Sequence, residues 1–429
     1  MKWLCGLSLV IMSAISLHHL HAFSSVAATG GVRRSADMLY RASSAVARSV
    51  ATLEESLDIQ LFERKGRGML LTAAGDTVRL RAQIIEAELR EVRDDAVRLA
   101  ARDGALIGST EALFNERRLQ AAVMLADAHH MPTVARLMGM SQSAVSQAIA
   151  KLEIALGQTL FRRSAHGMVP SDAGTRWMVR FSRVLMELEH IASDVAALKG
   201  VLQGVITVGA LPLARTLLLP AAITELVRKY PRLQVRSLES TYEELTAGLL
   251  SGRVDFIIGA LRSPTGQGLE ASVLLQDEIA VIAGAGHPLA SQGDLGVDDL
   301  ARFPWVLSRS GTPLRMSLEQ FFQDQGRAPP QPAVETGDLA LLRGLLVSSN
   351  MITVLSAHQL HYEIATGQLA VLDFPMRGLE RQIGVTTRQG AYLSPGANAL
   401  LAELKRAAAA GLRAARPGRP VTCEPGIIN

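Results

Sequence analysis

The sequence predicts a multidomain chain: two tandem helical units that each end in a hairpin wing, a long linker helix, and a two-lobed α/β half. Three observations predict this. The first is an ungapped internal repeat. Ser44-Ala45-Val46, Leu53-Glu54, Leu57, Leu61-Phe62, Arg64, Gly68-Met69 and Ala74-Gly75 recur, 99 residues later, as Ser143-Ala144-Val145, Leu152-Glu153, Leu156, Leu160-Phe161, Arg163, Gly167-Met168 and Ala173-Gly174. A repeat of this length with its apolar spacing in register means two copies of one folded unit. The second is helical spacing held from Asp172 to Leu198 through Trp177, Phe181, Val184-Leu185, Leu188, Ile191 and Val195. The third is alternation of strand and helix patterns over residues 200–410, which argues a parallel α/β sheet.

Each unit opens on apolar residues at helical spacing: Leu17, Leu20, Phe23 and Val26-Ala27 in the first, Leu119, Val123 and Leu125-Ala126 in the second. Breaks at Gly30-Gly31 and at His130-Met131-Pro132 lead to short helices, Ser35–Leu39 and Thr133–Met138. Turns at Tyr40-Arg41 and Gly139-Met140 lead to the next helix. In the second unit Ser141 is a good N-cap, because its hydroxyl can accept from a free first-turn N–H. Val145, Ile149 and Leu152 then share one face of the helix, leaving Gln142, Ser143, Ser146 and Gln147 on the other, with Lys151 a turn further on. An apolar back and a front of short donors and acceptors suit the major groove of DNA.

A strand–turn–strand wing follows: Leu61–Thr72 in the first unit, Leu160–Ser171 in the second. Its cations can meet phosphate, which adds affinity without sequence information. Thr72 or Ser171 then caps a long helix, the first running from Ala73 to Ala101. The copies diverge in complementary ways. The first has Ala42 for Ser141 and Ala47 for Ser146 but keeps Ser43, Ser44 and Arg48, and its wing carries Arg64, Lys65 and Arg67. The second has the better recognition helix and the weaker wing, with Arg162 and Arg163 but Pro170 for Leu71 and His166 for Arg67. The second is therefore expected to be the principal DNA reader. The first is an auxiliary DNA contact, a dimerisation module or a decaying duplicate. Arg163 fits either a phosphate contact or a surface salt bridge, and Glu54 and Glu153 fit local helix contacts better than DNA.

The serine-capped helix, the Leu-Glu…Leu…Leu-Phe run, the Arg-containing wing and the Thr/Ser-x-Ala-Gly start of the long helix together closely resemble the winged helix-turn-helix and linker helix of LysR-type transcriptional regulators. The resemblance continues through Gly204–Gly209, Lys229-Tyr230-Pro231, Leu250–Gly259 and Gly286–Ala290. Four further runs, Gly311–Arg315, Glu335-Thr336, Ser356–Glu363 and Thr386-Thr387-Arg388, look closer to the galactose-binding-protein-regulator subgroup. The resemblance implies a linker helix that pairs two subunits. It also implies a two-lobed, periplasmic-binding-protein-like effector domain with its ligand between the lobes. In α/β sheets ligands sit at strand C-terminal ends against helix N-termini. That places the effector cleft at Leu211-Pro212-Leu213, Ser240-Thr241-Tyr242, Ser308-Arg309 and Thr312, with Arg309 or Arg315 able to clamp a carboxylate or phosphate. Both arginines fit surface or dimer contacts equally well.

The expected boundaries are 1–16 apolar extension, 17–75 first winged unit, 76–112 first linker, 113–171 second winged unit, 172–200 linker and dimerisation helix, 201–410 effector domain and 411–429 tail. Lys2 and the apolar run Trp3–Ile15 resemble a secretory signal but lack a small-x-small cleavage site ahead of Leu17. The expectation is an upstream extension with the start at Met12. The chain has 429 residues and a net charge of +4, carried by residues 1–200 (24 Lys+Arg against 20 Asp+Glu). Such a mild basic bias permits nucleic-acid binding. Two cysteines, Cys5 and Cys423, form neither a disulfide framework nor a ligand cluster, which suits a reducing compartment.

No phosphate loop, nucleophile elbow or metal-ligand spacing marks an enzyme. The pairs His18-His19 and His129-His130 fall inside the helical units. The expected function is cytoplasmic regulation of transcription, with no cofactor, no metal and no stable membrane association. The partners are promoter DNA, a small-molecule effector and further copies of the chain, with RNA polymerase an additional candidate. The rival reading is a secreted or membrane-tethered solute receptor, and a third is a DNA-binding regulator anchored to the inner membrane by residues 3–16.

Overall fold

The computed structural model describes residues 15–65, 68–262, 267–277, 279–376 and 378–414. Most of the apolar extension, Arg67 in the first wing and the end of the tail lie outside the described residues.

The N-terminal half runs α1 (Leu17–Thr29), α2 (Val32–Met38), α3 (Ser43–Leu57), β1 (Phe62–Lys65), β2 (Gly68–Leu71) and α4 (Ala73–Asp103), then the same series again. The second series is α5 (Glu116–Ala128), α6 (Met131–Met138), α7 (Gln142–Leu156), β3 (Phe161–Ser164), β4 (Gly167–Pro170) and α8 (Asp172–Leu198). The repeat extends to single bonds. Glu54 Oε1 accepts from Leu61 N at 2.7 Å, and Glu153 Oε1 from Leu160 N at 2.7 Å. Both glutamates thus hold the start of a wing. The Thr72 hydroxyl accepts from Gly75 N and donates to Gln60 O; Ser171 does the same with Gly174 N and Thr159 O. Both glycines are required, because a Cβ would lie 2.1 Å from Leu61 O at Gly75 and 2.3 Å from Leu160 O at Gly174.

The short helices begin earlier than the sequence pattern indicates, at Val32 rather than Ser35 and at Met131 rather than Thr133. Pro132 does not break the chain. It occupies the first turn of α6, where a missing N–H costs nothing and the fixed φ suits the helix.

Helices α4 and α8 pack antiparallel through one apolar seam. Val78, Ala82, Ile85, Leu89, Val92 and Ala96 are buried with Trp177, Phe181, Val184, Leu188, Ile191 and Val195, in a core shared by both units. A long amphipathic helix needs a partner for its apolar stripe. The resemblance placed that partner in a second subunit, whereas here α4 of the same chain covers the face. Ion pairs flank the seam: Arg81 to Glu187 and Asp194, Arg180 and Arg183 to Glu88, Arg176 to Asp95. Arg81 is fully buried. Its guanidinium donates to Asp194, Glu187 and the carbonyls of Tyr392 and Leu393.

The C-terminal half adds β5 (Gly204–Ala210), α9 (Leu218–Lys229), β6 (Leu233–Leu238), α10 (Tyr242–Leu250), β7 (Phe256–Ala260), β8 (Leu269–Asp277), β9 (Ile279–Gly284), α11 (Val297–Leu300), β10 (Trp305–Leu307), α12 (Pro313–Asp324), β11 (Pro332–Glu335), α13 (Leu339–Ser348), β12 (Ile352–Ser356), α14 (His361–Ala365), β13 (Leu369–Val371), β14 (Arg381–Arg388) and α15 (Pro395–Ala414). They form two five-stranded sheets, ordered β6-β5-β7-β14-β8 and β11-β10-β12-β9-β13. The sheets are mixed, not parallel throughout. β5 runs parallel to β6 and β7, and β10 to β11 and β12, but β14 is antiparallel to β7 and β8, and β9 to β12 and β13. The apolar run Val273–Ala283 divides between β8 and β9, which belong to different sheets. The chain crosses between lobes there and returns as β14, and these crossing strands supply the antiparallel pairs.

Removing the cation at the seam leaves the buried Asp194 carboxylate without a cation and leaves Glu187 only the more distant Arg388, at 3.7 Å. Arg81→Met is expected to lower unfolding free energy by about 3–5 kcal/mol, read from a guanidinium titration. A loss of less than about 1 kcal/mol would show that the seam does not depend on Arg81.

Candidate nucleic-acid interface and effector cleft

Ser141 caps α7, its hydroxyl accepting from Ala144 N at 3.1 Å. Val145, Ile149 and Leu152 are buried, while Gln142, Ser143, Ser146, Gln147 and Lys151 are exposed on one continuous front. The Ser141 and Ser143 hydroxyls bond each other at 2.9 Å, so the cap also orients Ser143. Arg162 and Arg163 are exposed on β3, opposite Val169 and Met168. Neither has an ion-pair partner among the described residues, and both are left open to an anion. In the first unit Ser43, Ser44 and Arg48 are likewise exposed on α3, whose N-cap Ala42 makes no side-chain bond. Arg64 and Lys65 lie on β1. The histidine pairs serve the units themselves: His18 bonds Arg41, His129 bonds Met168 O and His130 bonds Thr133.

The cleft segments follow strand C-terminal ends in both lobes. Leu211-Pro212 comes after β5, Ser240-Thr241 lies between β6 and α10, and Ser308–Thr312 lies between β10 and α12. Thr241 caps α10 through Glu244 N at 3.2 Å. The Arg262 guanidinium lies 4.0 Å over the Tyr242 ring. Thr312 bonds Ser308 at 2.9 Å. Arg309 is exposed. Arg315 is not available as a clamp: it is buried, paired to Glu319 and bonded to Pro330 O, and so fixes α12. His287 orders its loop through Leu289 N and Asn350 O.

A third cluster, which sequence reasoning missed, joins α8 to the effector half. Glu187, shared with Arg81, lies 3.7 Å from Arg388 at the end of β14. Arg183 donates to Leu250 O, and Arg253 pairs with Asp127 and donates to Ser182. His190, largely but not fully buried, lies 3.8 Å from Asp255, which accepts from Thr207 N at 2.7 Å. A signal was present in the sequence. Arg81, Glu88 and Asp95 recur as Arg180, Glu187 and Asp194, the same charges seven residues apart on the long helix of each repeat.

The comparisons with known proteins agree with this geometry. The family described as "Bacterial regulatory helix-turn-helix protein, lysR family" matches residues 17–76 and again 117–175, and "LysR substrate binding domain" matches residues 199–409. The HTH-type transcriptional regulator GalR of Pseudomonas putida is 41% identical over 396 residues, which span 91% of this chain and 97% of that protein. The chain belongs to the LysR family. It is a DNA-binding transcriptional regulator with an effector-binding domain, and helix-turn-helix matches of this kind leave the solute-receptor reading without support. GbpR of Azospirillum brasilense is 27% identical and covers 70% of this chain and 88% of its own length. Among solved structures, a full-length OxyR variant from Pseudomonas aeruginosa shares the fold at a TM-score of 0.53 and 24% identity, covering 68% of this chain and 94% of its own. CbnR complexed with target DNA does so at a TM-score of 0.50 and 19% identity, covering 68% and 99%.

Burial, with the Arg81 guanidinium nearby, pushes His190 down to about 3 from its usual 6.5. Burial, opposed by the Thr207 N–H, raises Asp255 to about 6, and burial opposed by Arg236 raises Glu189 to about 7. As pH falls below the usual histidine value, the unfolded chain takes up the His190 proton first, so this residue costs stability from there down to its folded value. The two raised carboxyls act in the opposite sense: the folded form gains protons first as pH falls through their folded values. His190→Gln removes only the destabilising arm. The variant is expected to lose less stability than the parent between about pH 7 and about pH 5 in guanidinium titrations. An equal loss would remove His190 from the account.

Proposed function

We propose that the chain reads promoter DNA with the α7 front, Ser141, Gln142, Ser143, Ser146, Gln147 and Lys151, while Arg162 and Arg163 hold phosphate. The observation that carries this reading is the exposed, serine-capped polar front of α7 beside two wing arginines that have no ion-pair partner among the described residues. In this reading both helical units are winged helix-turn-helix modules. The second is the principal reader, and Ser43, Ser44, Arg48, Arg64, Lys65 and Arg67 form the corresponding surface of the first. The domain limits follow those expected, with linkers at 76–112 and 172–200.

The effector enters between the lobes and meets Leu211, Pro212, Ser240, Thr241, Tyr242, Arg309 and Thr312. Three of these segments follow strand ends, and the exposed Arg309 guanidinium supplies a cation for an acidic effector. Cleft closure changes how the protein bends its DNA. The chain acts by binding rather than catalysis, in the cytoplasm, with further copies of itself and with RNA polymerase as a candidate contact. The substrate-domain match and the relation to GalR support that assignment. No helix among the described residues is long and apolar enough to cross a membrane.

The wing is tested by a mobility-shift titration at several salt concentrations on the intergenic DNA upstream of the chain's own gene. Arg162→Ala with Arg163→Ala is expected to weaken binding uniformly across sequences and to reduce the slope of log K against log salt by about 2. An unchanged slope would remove the wing from the interface.

A further inference from the structure

The two helical units are not strung in series. They face each other across a pseudo-two-fold axis, as the contacts show. Such an axis exchanges residue i with residue i + 99, and the Arg81–Glu187 pair maps under it onto Arg180–Glu88. The far end of each long helix touches the opposite unit. Asp103, at the end of α4, accepts from Gln158 just after α7, and Lys199, after α8, bonds Asp58 just after α3. Near the axis a residue meets its own counterpart: Leu17 N donates to Glu116 Oε2 at 3.1 Å, across a separation of 99 residues.

The first unit has kept what such an arrangement needs. Its core is closed around Leu20, Phe23, Val46, Val50, Leu53 and Leu61, and the Glu54, Thr72 and Gly75 contacts match those of the second. The alignment with GalR covers 91% of this chain, too much to leave the first unit out. At the start of α3 the exposed residues make no side-chain bond to the rest of the chain among the described residues. Their chemistry differs from that of α7 at equivalent places. Arg48 stands where the second unit has Gln147, and Ser43 where it has Gln142. Arginine pairs bidentately with guanine O6 and N7, glutamine with adenine N6 and N7.

We propose that one chain is a complete two-headed reader: α3 and α7 engage two half-sites of one operator, and these half-sites are unlike. At positions related by the two-fold axis the first carries a guanine read by Arg48, the second an adenine read by Gln147. This rests on the DNA-binding reading above and extends it to the first unit.

The test is selection of bound sequences from a random duplex pool by the full-length parent, by Arg48→Gln and by Gln147→Arg. Both positions are exposed, so neither change disturbs the core. The parent is expected to enrich two unlike half-sites. Arg48→Gln should turn guanine preference into adenine in one half only, and Gln147→Arg should do the converse in the other. Restoring the original base would then weaken each variant by roughly 5- to 100-fold. Identical half-sites, or a motif that answers to Gln147→Arg but not to Arg48→Gln, would overturn the two-headed reader and leave DNA reading by α7 standing. No enriched sequence with any of the three proteins would overturn both.

Discussion

The structure depends on the burial of one guanidinium. Arg81 has no contact with solvent, and each of its donors meets an acceptor: two carboxylates of α8 and two carbonyls of the segment between β14 and α15. Burying a cation is tolerated only when it is both paired and fully hydrogen-bonded. The residue therefore constrains three elements at once. It fixes the register of α4 against α8 and fastens both to the effector half, where the Tyr392 ring also packs 4.3 Å from its guanidinium carbon. Burial raises Glu187 above the ordinary carboxylate range while Arg81 draws it back, so the pair is matched as a unit.

That register sets the geometry of the N-terminal half. An antiparallel pair of helices related by the repeat offset forces the units that precede them to opposite ends of the seam. Each then borrows the far end of the other's helix as a brace, through Gln158–Asp103 and Lys199–Asp58. These braces are exposed and individually worth little. The apolar seam, with Trp177 and Phe181 fully enclosed, supplies most of the stabilisation at roughly 1.5–3 kcal/mol for each large side chain buried. The ionic pairs select the alignment that the seam alone would leave free to slide.

Local features were legible in the sequence because local physics fixes them. The Ser141 cap, the buried Val145–Ile149–Leu152 face, the wing hairpins and the linker limits Asp172–Leu198 all follow from spacing and capping chemistry. What spacing leaves open is which surfaces meet. The mixed sheets arise because β14 returns to the first lobe after a second crossing, and nothing in the run Ile383–Thr387 announces its neighbours. Arg315 offered a clamp by its place at a helix start, but burial against Glu319 takes it out of use. Partner choice for α8 was the largest omission. The repeated Arg–Glu–Asp series on the two long helices was the available sign, since charges kept at one place in an apolar stripe must be answered by charges on whatever covers it.

The same junction limits how an effector signal can travel. The lobes are joined by two crossings, from β8 to β9 and from β13 to β14, so a change in the angle between them is felt at β14. That strand ends at Arg388, beside Glu187, and the next segment supplies the two carbonyls that Arg81 requires. A displacement of β14 has two outcomes. It strips Arg81 of its two carbonyl acceptors, at a cost of roughly 1–3 kcal/mol for each donor left buried and unpaired, or it carries α4 and α8 along as one body. An effector must supply the free energy for either from its difference in affinity for the two states. Typical coupling energies between sites are about 1–3 kcal/mol, which the loss of both carbonyls would consume, so the second route is favoured. Movement of the paired helices as a body, with the units they carry, is the transmission that this junction permits.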